Sequence, residues 1–187
     1  MRQLLSSLVV LSALLFTATV SAQPYVGQPG KDVVWVPTPE VLVEKMLDMA
    51  RVTPQDFVMD LGSGDGRNII AAAKRGARAL GIEYDHDLFE LAKLNAQKAG
   101  VAERARFIKG DMFEADLSKA TVLALFLLPD NLQKLRPKFE RMKPGTRIVV
   151  NGFPIDGWVA KETGTAAGDC GSWCTAYLYI VGESNSP

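Results

Sequence analysis

Apolar positions along residues 39–182 switch repeatedly between two periods. Leu42, Met46 and Met49 recur at helical spacing, and Thr38-Pro39 ahead of them offers a cap and a residue suited to a first helical turn. FVMDL (57–61) is short and β-prone, RNIIAAAKRG (67–76) is a helical pattern that stops at Gly76, and ARALGIE (77–83) reads as a strand. DLFELAKLNAQKAG (87–100) places Leu88, Leu91 and Ala92 on one helix face and stops at Gly100. ARFIKGD (105–111) and ATVLALFLL (120–128) are further strands, the second apolar throughout, as a strand covered on both faces is. Leu132, Leu135, Phe139 and Met142 form the next helix stripe, closed by KPG (143–145). TRIVVNGF (146–153) and TAYLYIVG (175–182) complete the strands.

Strand and helix in alternation predict an α/β fold, a Rossmann-like doubly wound sheet with right-handed crossovers. The last strand follows a strand rather than a clear helix, so the sheet is expected to be mostly parallel with an antiparallel edge strand. Ligands of such sheets bind outside the carboxyl ends of the strands. Residues 23–34 are rich in Pro and Gly and are expected to wrap the surface.

The first 22 residues follow another rule. One charge, Arg2, precedes an uncharged apolar run over residues 4–20, and Val20 and Ala22 stand at the −3 and −1 positions of a cut after Ala22. That is the order of a secretory signal peptide. An uncleaved membrane anchor is the alternative, although the run is short of the roughly 20 apolar residues a spanning helix needs. The expected organisation is a leader over 1–22 and one domain over 23–187, periplasmic or secreted, without stable membrane insertion once the leader is gone, and monomeric.

Charge narrows the partners. Lys+Arg and Asp+Glu both number 21, so the chain lacks the basic footprint of a dedicated nucleic-acid binder. The two cysteines, Cys170 and Cys174, have CxxxC spacing, which is not the CxxC redox motif. In an exported chain they are expected to form a disulfide. With His86 as the only histidine, no metal site is expected.

The chemistry concentrates in VMDLGSGDGR (58–67). A dinucleotide fingerprint is GxGxxG, but here the third glycine falls at 66 and position 67 is Arg, giving GxGxG. Asp60 ends the first strand, Glu83 the second, and Asp111 follows the third, so three acids are expected along one carboxyl edge. A carboxylate after the second strand suits two ribose hydroxyls. The other acids suit an ammonium group and a nucleobase amine, while an acid-lined pocket repels phosphate. S-adenosylmethionine carries a sulfonium, an ammonium, a ribose and an adenine without phosphate, and it fits this pattern better than NAD.

Residues 35–153 also resemble a class I S-adenosylmethionine-dependent methyltransferase, with DLGSGDGR, GIEYD, GDMF, LLPDNLQKLRP and MKPGTRIV in the family's order. WVPTPEVLVEKML followed by VMDLGSGDGRNIIAAA is similar to the ATP synthase c-subunit lysine N-methyltransferase family and its bacterial relatives, which usually carry Tyr where this chain has Trp35. The resemblance implies that Asp60, Gly62, Ser63, Gly64 and Gly66 hold the methionine part of the donor, Glu83 the ribose, and Asp111 with Met112 the adenine. It implies that Thr38 and the Leu127-Leu128-Pro129 segment line the acceptor side, with a protein lysine as acceptor. A small-molecule acceptor and an exported binding module without turnover are the alternatives. LLPD has no aromatic of the NPPY kind, which disfavours a nucleobase acceptor. His86 is expected to be a solvated loop residue.

Overall fold

The computed structural model describes residues 23–184. The signal peptide expected over 1–22 lies outside the described residues. Helix α1 (Glu40–Met49) leads into β1 (Phe57–Leu61), α2 (Arg67–Lys74), β2 (Arg78–Glu83), α3 (His86–Lys98), β3 (Ala105–Lys109) and β4 (Val122–Leu125). Then follow α4 (Pro129–Phe139), β5 (Arg147–Asn151), β6 (Glu162–Thr165) and β7 (Thr175–Ile180).

The strands form one sheet in the order β3-β2-β1-β4-β5-β7-β6. Strands β1 to β5 pair in parallel, and β7 runs antiparallel to both β5 and β6. The expected antiparallel strand is therefore one position inside the edge. The edge itself is β6, whose sequence ETGT is too short and polar to announce a strand.

Side-chain alternation at period two divides the core. Val58, Val122 and Val149 face α1 to α3, where Leu42, Met46, Ile69, Ala72 and Ala96 meet them. Their sequence neighbours Met59, Leu123 and Ile148 face the other way, against Leu132, Leu135 and Phe139 of α4. Asp60 shares the parity of Val58, so its carboxylate points toward α2 rather than α4.

The amino ends of the strands are fastened by a polar knot. Asp56 is 5% exposed and accepts hydrogen bonds from Thr53 N–H (2.8 Å), Thr121 Oγ1 (2.7 Å) and the Arg147 guanidinium. Arg147 also donates to the Ala50 carbonyl at the end of α1 (2.6 Å). One carboxylate thus joins the starts of β1, β4 and β5 to α1. Burial pushes the Asp56 pKa up, but the bonds from Thr53, Thr121 and Arg147 outweigh it and hold the carboxyl below its ordinary value.

A carboxyl depressed on folding contributes stability that is complete above its unfolded pKa and is lost as pH falls through the folded one. Asp56→Asn is therefore expected to lose about 1.5–3 kcal/mol at neutral pH, the range for hydrogen bonds to a charged group. Urea denaturation checks this, and the deficit should shrink below about pH 4, where the parent's carboxyl also protonates.

Candidate active site

The turn between β1 and α2 holds three glycines at positive φ: 75° at Gly62, 53° at Gly64 and 84° at Gly66. L side chains rarely adopt that region, and two of the three positions also lack space. A Cβ on Gly64 would lie 2.6 Å from Trp35 Nε1, and one on Gly66 would lie 2.6 Å from the Phe107 ring. The second glycine thus admits an indole from the amino-terminal segment, and the third lets α2 approach β3 and α3.

Glu83, at the end of β2, knits the turn together. Its Oε2 accepts from Gly64 N–H (2.7 Å) and its Oε1 from Asp85 N–H (2.9 Å). It is 7% exposed, and burial raises its pKa against the pull of those bonds. Asp85 caps α3 by accepting from Leu88 N–H (2.9 Å), which fixes the chain leaving Glu83.

Asp60 is less well served. Its Oδ2 accepts from Asn68 Nδ2 (3.0 Å), while Oδ1 is buried without a partner, as are Ser63 Oγ and Asn68 Oδ1. Burial pushes the Asp60 pKa well up, with the Glu83 carboxylate adding to the effect. Buried polar atoms without partners are rare and costly, so this cluster is arranged for a donor that comes from outside the chain. A cation with N–H groups satisfies it best.

Two depressions meet above these acids. The first is walled by residues 28 and 30–36 together with Glu83, Tyr84, Asp111, Met112 and Phe126. The second lies over Thr38, Asp60, Ser63, Gly64, Asn68 and Phe126. Gly62, Trp35 and Phe126 belong to both, so Phe126 stands at their junction. Residues expected only to wrap the surface therefore form one wall of the site. They are tied by hydrogen bonds from Gly27 N–H to Trp35 O (2.8 Å) and from Trp35 N–H to Gln28 O (3.0 Å).

Asp111 also differs from expectation, because it is already paired. Lys31 Nζ lies 2.5 Å from its Oδ2 and 4.9 Å from the Tyr84 ring centroid, and Phe113 N–H donates to Oδ1 (2.8 Å). The Lys31 hydrogen bond, joined by that from Phe113, holds the Asp111 carboxyl below its ordinary value.

The structure places the residues expected on the acceptor side apart from one another. Thr38 does not cap α1, whose N-cap is Pro39; its Oγ1 instead accepts from Asn151 Nδ2 (3.4 Å) at the end of β5. Leu128 and Pro129 are exposed and line neither depression, since Pro129 already turns away into α4. Leu127 is buried beneath Gly62, and Phe126, one residue past β4, occupies the place expected for the LLPD segment. Asn151, fully buried with Oδ1 unpartnered, escapes a sequence reading because an asparagine ending a strand has no signature. His86 is exposed at the first position of α3 and lines neither depression.

The family model described as the ANTKMT methyltransferase domain matches residues 60–162. A protein-lysine N-methyltransferase of Saccharolobus islandicus is 46% identical over 80% of this chain and 94% of its own length. The ATP synthase c-subunit lysine N-methyltransferase of Xenopus laevis is 32% identical over 67% of this chain, which spans only 55% of that protein. Among solved structures, an RNA methyltransferase from Salinibacter ruber in complex with S-adenosyl-L-homocysteine is similar, with TM-score 0.74 and 45% identity over 81% of this chain and 97% of that one. The GxGxG turn, the acids at successive strand ends and these matches agree: the chain belongs to the ANTKMT methyltransferase domain family and is a class I S-adenosylmethionine-dependent methyltransferase.

Proposed function

We propose that the chain methylates lysine side chains of proteins, outside the cytoplasm and as a monomer. The observation that carries the lysine reading is the Saccharolobus relative, alike over nearly its whole length and named for that reaction. An RNA acceptor, named for the Salinibacter structure, is opposed by a chain with equal numbers of acidic and basic residues.

In this reading Asp60, with its orphaned Oδ1, receives the donor's ammonium group, helped by Ser63 and the turn at Gly62, Gly64 and Gly66. Glu83 accepts from the ribose hydroxyls, and Asp111 and Met112 border the adenine. When bound, S-adenosylmethionine supplies a methyl carbon already activated by its sulfonium. The protein's work is then to position and to dry the acceptor. A lysine ammonium has an ordinary pKa near 10.4 and has to shed its proton to water before its lone pair can attack. Desolvation in the crevice, once the amine has docked, disfavours the charged form. Thr38 Oγ1 has a second lone pair beyond the one used by Asn151, and that pair orients an amine N–H. Attack through the lone pair leaves a positive charge on the nitrogen, and one of its two protons is then lost to water.

Labelled methyl transfer to poly-L-lysine, with bulk tRNA as the competing acceptor, tests the function; label in tRNA alone would overturn the lysine reading. Glu83→Ala is expected to weaken S-adenosylmethionine binding by roughly ten- to a hundredfold, because two hydrogen bonds to a carboxylate are lost. His86→Ala should bind as the parent does in the same calorimetric titration.

The raised Asp60 pKa gives a second outcome. A buried carboxyl whose pKa is raised in the free protein is shifted toward its ionised form when a cation docks. Affinity therefore rises with pH through the folded pKa, and protons are released on binding. Calorimetry in two buffers of different ionisation enthalpy counts them, and Asp60→Asn should release fewer. Asp65, Glu83 and Asn68 face the same group and remain in that variant.

For the compartment, the leader and the Cys170–Cys174 bridge support export. Intact mass of the native protein should give a chain beginning at Gln23 with no alkylatable thiol.

A further inference from the structure

We propose that Trp173, held in place by the Cys170–Cys174 disulfide, is a specificity-determining wall on the acceptor side that selects a cationic alkylamine. This deepens the lysine reading and rests on it.

The topology brings a distant loop to the site. Because β7 runs antiparallel to β5, its first residue lies at the carboxyl edge of the parallel strands, where Asn151 pairs with Ala176. The β6–β7 hairpin loop over residues 166–174 is thereby delivered beside the end of β5. Gly152 N–H donates to Thr175 O (2.8 Å), and Ala166 N–H to Cys174 O (2.8 Å). The disulfide closes the loop four residues apart, and Trp173 N–H donates to Cys170 O (2.9 Å) inside it.

The indole then meets two other rings edge-on. Phe126 lies 5.1 Å and Phe153 5.4 Å from it between centroids, with interplanar angles of 62° and 61°. Phe126 lines both depressions, as Trp35 does, and Trp173, which lines neither, extends the aromatic surface from Phe126 toward the end of β5. Gly152 makes the approach possible. Its φ is +75°, and a Cβ there would lie 2.9 Å from Trp173 Cε3. A glycine that opens space for one indole, together with a bridge that fixes the same indole, is a paired arrangement that loop closure alone does not require.

All three rings are half-buried. Aromatic faces attract ammonium and methylated ammonium ions. The loop over 166–174 carries Asp169 and no basic residue, which favours the same sign of ligand. The family match ends at residue 162, before the bridged loop.

The test uses the full mature protein and poly-L-lysine as acceptor. Trp173→Ala should raise KM for poly-L-lysine at least fivefold while kcat and S-adenosylhomocysteine affinity stay within twofold, and Trp173→Phe should recover most of the loss. Dithiothreitol should act as Trp173→Ala does on the parent: the dithiol gives two electrons and two protons to the bridge, leaving two thiols and its own cyclic disulfide. In parallel, the Trp173 indole N–H resonance should shift with tetramethylammonium but not with neutral tert-butanol, and the shift should vanish on reduction. The Trp158 resonance, from a buried ring that lines neither depression, serves as the internal control. A KM within twofold in Trp173→Ala, or an equal response to tert-butanol, overturns the proposal. If the parent transfers no methyl to poly-L-lysine, the lysine reading fails on its own. The titration then decides whether the wall selects cations: a tetramethylammonium-specific shift upholds it, and no shift overturns it.

Discussion

A right-handed crossover lays its helix on one face of a parallel sheet for one direction of travel, and on the opposite face when the direction reverses. Everything at the site depends on where that reversal occurs. From β1 the chain moves outward through β2 to β3 with α2 and α3 on one face, and from β4 it moves the other way to β5 with α4 on the other. The helices part between β1 and β4, so the carboxyl ends of those two strands open onto a crevice. Asp60, within β1, and Phe126, one residue past β4, stand there because those two strands flank the split.

The two edges of the sheet treat buried charge in opposite ways. At the amino edge Asp56 is matched by Arg147 and two threonines, and that knot belongs to stability. At the carboxyl edge Asp60 has only the Asn68 amide and the Leu61 backbone N–H beside it, with no cation, and its Oδ1 has no hydrogen-bond partner. A carboxylate left in that condition destabilises the empty protein. The incomplete pairing therefore belongs to ligand recognition, and the well-paired edge offsets part of its cost.

The alternating pattern is legible because each strand carries its own apolar run, and the acids are legible because strand ends are. GxGxG and Glu83 lie within 22 residues of each other, and local geometry brings them together. What stays hidden depends on long-range packing. Nothing in the stretch around Trp35 announces that its indole fills the space above Gly64, nor that Lys31 pairs with Asp111, 80 residues away. Thr38 reads as a cap because of its neighbour Pro39, but its hydroxyl serves Asn151 instead. Phe126 merges into an apolar strand run; only the end of β4 at Leu125 turns the next side chain toward the opening. The edge strand β6 escapes because ETGT has neither β-branched density nor alternation of apolar residues, and its pairing comes entirely from β7.

The balance of charge around the crevice has a kinetic meaning. Lys31 pairs with Asp111, which leaves Asp60, Glu83 and Asp85 as acids that line the opening without an ion pair. Their field falls on whatever sulfur chemistry takes place between them. Before transfer the sulfur is a cation and is attracted; after transfer it is a neutral thioether, and that part of the attraction is gone. In the proposed reading the spent molecule is held more loosely than the fresh one by the same walls, so each turnover weakens the grip of the pocket on what has to leave.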